Sequence, residues 1–395
     1  MSRVLVVNAG SSSLKHQLRE DGAVLARGVV ERIGSPQVPD HAAALSAALA
    51  DLEAGPGLAG LVGVGHRVVH GGTAFTAPAL VDDAVEAGIE ALSSLAPLHN
   101  PPQLAGVRAL RRLLPSVPQV AVFDTAFHAT IPPEAATYAI PPELAARHGV
   151  RRYGFHGTSH RHVTHRAAAV LGVPVGAVRL VTCHIGNGAS VTAVRDGLSV
   201  DTSMGLTPLE GLVMGTRSGD LDPAVVFHLV REAGMDVADV DDLLNHRSGL
   251  RGLAGESDVR AVRRRADAGD ERARLALDVY AHRLLKYVGA YLAVVPGVQA
   301  LVFTAGVGEN DARLREAVCS RLEHLGVRLD PAANAAATGP REPVAVDDGT
   351  GPVRVLVVPT DEEAEIASQV LDLVGERPGT VPETGPGTGP GTGAP

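Results

Sequence analysis

Two segments of the sequence repeat one pattern: an apolar strand, a loop of small residues, and a hairpin. In residues 180–203 (LVTCHIGNGASVTAVRDGLSVDTS) the loop is Gly186-Asn187-Gly188, and Asp196-Gly197 closes the hairpin. Residues 3–30 follow the same order, and their hairpin also closes on Asp-Gly. A loop of this kind exposes backbone N–H groups that suit a phosphate. The repetition predicts a duplicated fold that binds phosphate groups from two sides, the alternative being two unrelated hairpins.

Composition restricts the class of protein. A chain of 395 residues can form two or three domains with their own cores. Its net charge of −9 argues against a nucleic-acid or anionic-membrane partner. The long uncharged stretch at 287–308 is interrupted by Pro296-Gly297, so it predicts no membrane span. Cys183 and Cys319 form no disulfide or metal-binding pattern, and we expect a cytoplasmic protein with reduced thiols.

Short apolar strands alternate with helical segments along the chain, and each strand ends in a polar or Gly-rich loop. Ligands of α/β sheets bind beyond such strand ends. The P-loop pattern does not occur. GxGxxG occurs once, at residues 55–60, but it follows a predicted helix rather than a strand, so the motifs favour neither a P-loop enzyme nor a dinucleotide-binding dehydrogenase. The combination predicts a nucleotide bound between two duplicated α/β domains. These loops lie at residues 8–13, 67–72, 124–128, 186–188, 306–310 and 361–363.

Helical periodicity and capping signals predict several helices. Residues 97–102 are expected to form a rigid loop before one of them, and Thr158 or Ser159 to cap another. The longest helix, 271–295, has an apolar stripe that fits either a core helix or a subunit interface. The predicted helices span residues 40–53, 82–96, 103–114, 158–171, 224–232, 239–245, 271–295, 311–325 and 364–374.

Nine motifs together resemble the signatures of the acetate kinase family, which belongs to the acetate and sugar kinase, Hsp70 and actin superfamily. They occur in order from the N-terminus almost to residue 374, so the resemblance covers nearly the whole chain. The motifs are NAGSSSLK (8–15), GHRVVHGG (65–72), APLHNPP (96–102), FDTAFH (123–128), RRYGFHGTSH (151–160), HIGNGAS (184–190), EGLVMGTRSGDLDP (210–223), FTAGVGEN (303–310) and PTDEE (359–363).

The resemblance implies an α/β chain with the duplicated actin-like ATPase (ribonuclease H-like) fold and an active site in the cleft between two domains. The expected N-terminal acyl-kinase domain is 1–150, completed by a C-terminal helix at 364–375. The expected nucleotide-binding domain is 151–363. Residues 376–395 are a Gly/Pro/Thr repeat that cannot bury a core, and we expect a disordered tail.

The implied activity is reversible, Mg²⁺-dependent phosphoryl transfer from ATP to acetate, giving acetyl phosphate and ADP by direct in-line transfer. Mn²⁺ is an alternative metal, a homodimer is the expected assembly, and acetyl-CoA biosynthesis is the expected use. Propionate or butyrate kinase activity remains an alternative within the family. An alternative from another class is a nucleotide-switched binding protein on the same fold, which should carry an extra peptide-binding or polymerising segment.

Carried over motif by motif, the resemblance also implies site residues. Arg67 and Arg217 would hold the carboxylate and the transferring phosphoryl group, a role that suits the planar guanidinium fork. Taken singly, each arginine would more often form a surface salt bridge. The implied catalytic residues are Asp124, His156 and Arg217; the substrate residues are Arg67, Val69, Leu98, Phe155 and Pro208; the metal residues are Asn8 and Glu362.

The nucleotide residues come from three loops and one hairpin lysine. The implied nucleotide-binding residues are Lys15, His184, Ile185, Gly186, Asn187, Gly188, Asp258, Val259, Arg260, Gly306, Val307, Gly308, Glu309 and Asn310. Two departures from the family pattern affect the nucleotide and metal assignments. Residues 255–260 are one residue shorter than usual, and Asp361 replaces an asparagine, which puts an extra carboxylate near the metal.

Overall fold

Two six-stranded sheets form the frame of the molecule, which we describe from a computed structural model over residues 2–375. The expected tail at 376–395 lies outside the described residues. The first sheet contains β1 (Arg3–Ala9), β2 (Ser13–Glu20), β3 (Ala23–Glu31), β4 (Leu61–Val68), β5 (Ala79–Leu80) and β6 (Gln119–Phe123). The second contains β7 (Arg179–Ile185), β8 (Ala189–Arg195), β9 (Leu198–Thr202), β10 (Ala300–Thr304), β11 (Val344–Ala345) and β12 (Arg354–Val357).

The two sheets have the same strand order, which confirms the duplication predicted from the sequence. The first runs β3-β2-β1-β4-β6-β5 and the second runs β9-β8-β7-β10-β12-β11. In each, an antiparallel hairpin continues into parallel strands. The hairpin registers place Asn8 opposite Lys15 in the first sheet and His184 opposite Ser190 in the second. Both predicted phosphate loops therefore lie at the carboxyl ends of central strands.

Helices connect and cover the strands. They are α1 (His41–Ala54), α2 (Asp83–Ala91), α3 (Asn100–Leu113), α4 (Pro133–Ala136), α5 (Pro142–His148), α6 (Gly157–Leu171), α7 (Ala224–Glu232), α8 (Val237–His246), α9 (Gly249–Ala254), α10 (Val259–Asp267), α11 (Glu271–Val294), α12 (Ala305–Asn310), α13 (Ala312–Cys319), α14 (Pro331–Ala336) and α15 (Glu362–Gly375). The predicted helices at 82–96 and 311–325 are shorter than expected. The α-helix ends at Ala91 in the first and at Cys319 in the second, and a 3₁₀ turn follows in each case.

Three local predictions were wrong. Part of the loop expected at 97–102 is helical, because α3 begins at Asn100 and its prolines occupy the first turn, where no N–H is needed. The loop expected at 306–310 lies within the short helix α12. The cap of α6 is His156, in the left-handed region at φ 58°, and not Thr158 or Ser159. The hydroxyls of both residues bond to other loops instead.

The C-terminal helix α15 packs on the first sheet, far from its neighbours in sequence. Ile366 and Val370 are buried there against strands β1 and β6. They also lie over two glycines of β4: a Cβ added at Gly65 would come within 2.5 Å of Ile366, and one at Gly63 within 2.7 Å of Val370. Only glycine permits this approach, which brings the first residue of α15, Glu362, beside the end of β4.

The apolar stripe of the longest helix, α11, is buried in the hydrophobic core that covers the second sheet. Tyr280, Leu284, Val288 and Tyr291 all belong to the cluster that covers the second sheet. Of the two interpretations of this stripe, the core helix is the one that the structure supports. Within residues 2–375, no helix is both long enough and apolar enough to cross a membrane.

Candidate active site

A cleft of about 660 Å³ is lined by loops from both sheets. It brings together nine residues that the sequence predicts for the metal, the substrate and catalysis, and Lys15, which it predicts for the nucleotide. From the first sheet and its connections come Asn8, Lys15, Arg67, Val69, Leu98 and Asp124, and from the second half of the chain come Phe155, His156, Pro208 and Arg217. Residues more than 200 positions apart in sequence therefore face one space.

The floor of the cleft contains a buried ion pair between Arg67 at the end of β4 and Asp124 after β6. The Arg67 guanidinium donates to both Asp124 oxygens, the shortest contact being 2.6 Å from Nη2 to Oδ2. Thr158 donates a further bond to Asp124. Burial raises the pKa of the Asp124 carboxyl, and the Arg67 guanidinium opposes that rise. The pair fixes the direction in which Arg67 presents its remaining N–H groups.

Glu362 approaches Arg67 from the start of α15. Its Oε2 lies 3.7 Å from the Arg67 Nε, and its side chain is 21% exposed, so part of the carboxylate remains accessible. Burial lowers the pKa of Arg67, but the carboxylates of Asp124 and Glu362 raise it by more. Asp361, the carboxylate expected near the metal, is instead occupied: it accepts from the Ala364 N–H and pairs with Arg19 at 3.1 Å.

Arg217 lines the cleft and has no acidic partner among residues 2–375. The Arg217 Nη1 donates to the Pro208 carbonyl at 3.0 Å and contacts the Met214 sulfur at 3.7 Å. Burial lowers the pKa of Arg217, and no carboxylate opposes this effect. A largely buried guanidinium with N–H groups to spare is a site for an anion from solution.

His156 lies beside Arg217 and connects the cleft to a cluster of buried histidines. Its ring stacks on the ring of His184, with centroids 4.2 Å apart and planes 20° apart. Gly188 makes room for it, since a Cβ there would lie 3.3 Å from His156 Nε2 and 3.5 Å from Arg217 Nη1. Burial, followed by the neighbouring histidines and arginines, lowers the pKa of His156 well below its ordinary value. His156 is therefore neutral near pH 7.

A second cleft, of about 1020 Å³, is bordered by the other side of the 186–188 loop. Its lining includes glycines of the 186–188 and 306–310 segments and the start of α10. At the start of α10, Asp258 caps the helix and forms an ion pair with Arg260 at 2.6 Å. That arginine holds the pKa of Asp258 at about 2. The predicted nucleotide residues that line this cleft are Gly186, Asn187, Asp258, Val259, Arg260, Gly306, Val307 and Asn310.

Comparisons with known proteins agree with this arrangement. The family model described as "Acetokinase family" matches residues 3–368. The chain belongs to the acetokinase family. It is 55% identical to an acetate kinase of Leifsonia xyli subsp. xyli, over 95% of this chain and 99% of that protein.

Solved structures of acetokinases show the same fold. The crystal structure of Porphyromonas gingivalis acetate kinase matches with a TM-score of 0.91 at 43% identity, covering 95% of this chain and 100% of that one. A propionate kinase from Francisella tularensis subsp. tularensis matches with a TM-score of 0.89 at 38% identity, covering 94% and 100%. The predicted actin-like ATPase fold is confirmed.

Four residues expected to bind the nucleotide in this acetokinase have other contacts. His184 and Ile185 are buried in β7, and Gly308 is buried in α12. The Glu309 carboxylate accepts from the backbone N–H of Ala305 at 2.8 Å and of Thr360 at 3.0 Å. These four lie outside the lining of the two clefts, as do Gly188, which packs beside His156, and the predicted metal residue Glu362. They shape the loops, and Glu309 ties the 303–310 motif to the 359–363 motif.

Other residues were missed by the sequence argument. His99 and Gln103 line the first cleft, and the motif APLHNPP was the available signal for that segment. Arg315 is fully buried in α13 and donates to Gly308, Asn334 and Ala337, which holds α12 against α14. No sequence pattern distinguishes it from a surface arginine. Leu98 lines the cleft as predicted but is 63% exposed, so it forms the rim rather than the floor.

The buried histidines are expected to make the stability of the folded chain depend on pH. Burial lowers the pKa of His66, His70, His128 and His184 from 6.5 to about 4. The unfolded chain takes up these protons near pH 6.5, whereas the folded chain does not until about pH 4. The stabilisation is therefore complete above pH 6.5 and is lost as the pH falls toward 4.

We expect the free energy of unfolding in urea to fall between about pH 7 and about pH 5. The substitution His66→Gln should make the slope shallower, because it removes one buried neutral imidazole. His228 is exposed, so His228→Gln is the matched control and should leave the slope unchanged. Circular dichroism at a series of pH values measures this, and a free energy that is flat across the window would contradict it.

Proposed function

We propose that this acetokinase transfers the γ-phosphoryl group of ATP directly to acetate, giving acetyl phosphate and ADP, and catalyses the reverse reaction. The observation that carries the proposal is the buried Arg217 without an acidic partner, facing the Arg67–Asp124 pair across the cleft. Two guanidinium groups in one enclosed space suit a carboxylate and a phosphoryl group that must approach each other despite their like charges.

The acyl group of the substrate fits the apolar part of the cleft. Val69 and Phe155 are buried there at 7% and 2% exposure, and Pro208 lies beside them. A methyl group fits such a surface, while the carboxylate points toward Arg67. The nucleotide would occupy the second cleft, with its phosphates directed past the 186–188 loop. Lys15, opposite Asn8 in the hairpin register, would approach these phosphates from the first sheet.

Magnesium fits the residues at the mouth of the cleft as a companion of the nucleotide. Asn8 and Glu362 offer hard oxygen ligands, and Asp124 is already engaged by Arg67. Among residues 2–375 no group of three His, Cys, Asp or Glu side chains is arranged to hold a metal ion. Mg²⁺ characteristically keeps waters and phosphate oxygens and uses one or two protein ligands. When bound, the ion would neutralise phosphate charge; Mn²⁺ would serve similarly.

In the proposed reaction a carboxylate oxygen of acetate attacks the γ-phosphorus while the bond to the β-bridging oxygen breaks, and ADP leaves. Acetate is already ionised and needs no general base, consistent with an Asp124 that is engaged by Arg67. Catalysis is then positioning and charge neutralisation through a loose transition state. Arg217 and His156 would contact the equatorial oxygens of the phosphoryl group, while Arg67 would orient the carboxylate.

The decisive experiment traps the acyl phosphate with hydroxylamine, with ATP and Mg²⁺ present and acetate, propionate or butyrate as the acceptor. We expect acetate to be preferred, because the cleft accepts one methyl group. A methylene in such a pocket changes kcat/KM by roughly 10- to 200-fold. Val69→Ala should narrow the gap between acetate and propionate by making room beside the methyl group. If the wild type prefers propionate, the protein is a propionate kinase and the acetate assignment is wrong. If no acid gives a hydroxamate product, the proposed kinase activity itself is refuted.

Removal of Arg217 should cost on the order of 10³-fold in kcat, as for other arginines on a transferring phosphoryl group. Arg217→Lys should recover little of this, because an ammonium group does not reproduce the planar fork. Arg179, in an exposed ion pair with Asp196, offers the control Arg179→Ala, which should leave kcat unchanged. A folded Arg217→Ala protein with near-normal turnover would refute the role.

The metal assignment is tested by two neighbouring glutamates. Glu362→Ala should raise the Mg²⁺ concentration needed for half-maximal rate much more than it raises the KM for acetate, because Glu362 would reach the metal. Glu363→Ala is the matched control and should change the Mg²⁺ requirement little. The opposite pattern would place the metal on Glu363 and shift the register of the assignment by one residue.

We further propose that residues 1–150 with helix 364–375 and residues 151–363 are the two domains. The packing of α15 on the first sheet supports this division.

A homodimer is also proposed from the family resemblance, although the buried stripe of α11 would not form its interface. Light scattering measures the molar mass in solution and so tests the homodimer. Acetyl phosphate is an activated acetyl donor, so the product would serve acetyl-CoA synthesis in the cytoplasm.

A further inference from the structure

We propose that three residues outside the first cleft form a clamp that holds Arg217 in position. They are Tyr138, Arg152 and Glu210, and none of them belongs to the lining of that cleft. They act through the loop that carries Pro208, whose carbonyl accepts a hydrogen bond from the Arg217 guanidinium. The three are therefore positioning residues. The proposal rests on the proposed kinase function and adds to it the residues that orient this arginine.

The Tyr138 hydroxyl is the centre of the clamp, and its hydrogen bonds have a fixed direction. The backbone N–H of Leu206 donates to the hydroxyl at 3.1 Å. An amide N–H can only donate, so the hydroxyl accepts this bond and keeps its own proton for the Glu210 carboxylate, its other partner. Tyr138, from the segment between α4 and α5, thereby joins Leu206 near the start of the loop to Glu210 at its end.

Arg152 closes the same loop from the other side. Its Nη2 donates to Glu210 Oε1 at 2.6 Å. Its Nη1 lies 2.9, 3.3 and 3.1 Å from the backbone carbonyls of Thr202, Ser203 and Met204. The chain therefore leaves β9 and returns at Glu210 on one guanidinium group. Hydrogen bonds in which both partners are charged are among the strongest in proteins, so this contact fixes the two ends of the loop against each other.

Gly205 shows how closely the loop fits around the clamp. A Cβ added there would overlap both the Glu210 carboxylate and the Tyr138 hydroxyl, so only glycine permits this approach. The Gly205 carbonyl accepts from the backbone N–H of Tyr153 at 3.0 Å. Tyr153 is two residues before Phe155, so the loop is also bound to the segment that supplies the apolar part of the cleft.

The clamp reaches Arg217 through Pro208, which lies inside the clamped loop between Leu206 and Glu210. The bond from Arg217 Nη1 to the Pro208 carbonyl, at 3.0 Å, is the one hydrogen bond to oxygen that this guanidinium makes among residues 2–375. No carboxylate helps to orient it, so its direction depends on where this carbonyl lies. A displacement of about 1 Å between reacting groups can cost on the order of 100-fold in rate.

The first test removes one hydroxyl and keeps the ring. Tyr138→Phe should lower kcat roughly 3- to 10-fold, the cost of about one hydrogen bond, and leave the KM for ATP unchanged. Tyr280→Phe is the matched control, because Tyr280 is buried and its hydroxyl has no partner among residues 2–375. It should leave kcat unchanged. A folded Tyr138→Phe protein with the kcat of the wild type would overturn the proposal.

The second test separates positioning from a general loss of structure. Tyr138→Phe is made in the wild type and in the Arg217→Ala protein. If the clamp acts through Arg217, the substitution should lower kcat in the wild type and have no further effect on kcat in Arg217→Ala, since contacting residues are not additive. An equal fold-loss in the two backgrounds would show that Tyr138 acts by another route and would refute the clamp.

The third test observes Arg217 without turnover. Protein labelled with ¹⁵N-arginine gives ¹H–¹⁵N correlation peaks from the side-chain Nε–H groups, and Arg217→Lys identifies the peak of Arg217. We expect Tyr138→Phe to shift this peak and Tyr280→Phe to leave it in place. A peak that stays in place in Tyr138→Phe would contradict the clamp, whatever the activity of the enzyme.

The outcomes distinguish the clamp from the kinase function on which it rests. If the wild type makes no acyl phosphate from any acid while the Arg217 peak responds to Tyr138→Phe, the clamp stands and the kinase proposal fails. If the wild type is active and the peak does not respond, the clamp alone fails. If Tyr138→Phe does not fold, Glu210→Gln, which keeps the shape of the side chain and removes its charge, replaces it in all three tests with the same expected results.

Discussion

The ion pair between Arg67 and Asp124 is the contact on which the arrangement of the cleft depends. Arg67 lies at the end of β4 and Asp124 directly follows β6, and each would be a costly, largely buried charge without the other. The pair joins the ends of β4 and β6, and Glu362 extends it to α15. Three segments that are distant in sequence are therefore held together by charge where the substrate would bind.

The electrostatics of the site follow from which charges are paired. Arg67 is paired with Asp124, whereas Arg217 has no acidic partner among residues 2–375 and keeps N–H groups available for an anion. The buried histidines add donors and acceptors without adding charge, because burial keeps them neutral. A net-negative chain thus encloses a locally positive space, and its total charge gives no indication of this.

Much of the fold and of the cleft could be predicted from the sequence, since both rest on local patterns. The duplicated hairpins, the Asp-Gly turns and the loops after strands identified both sheets, and the motifs identified ten residues of the first cleft. Contacts made by tertiary packing could not be predicted. Glu309 was assigned to the nucleotide but bonds two backbone N–H groups, and Arg315 carried no signal at all. The α12 helix was missed because its glycines favour a loop.

The packing of α15 on β4 has a consequence for how the protein is made. The first sheet is synthesised early, yet the face of β4 that carries Gly63 and Gly65 stays uncovered until Ile366 and Val370 have been translated. Glu362 reaches Arg67 at the same late stage. A nascent chain therefore cannot assemble its phosphoryl-transfer centre on the ribosome before nearly the whole protein has emerged.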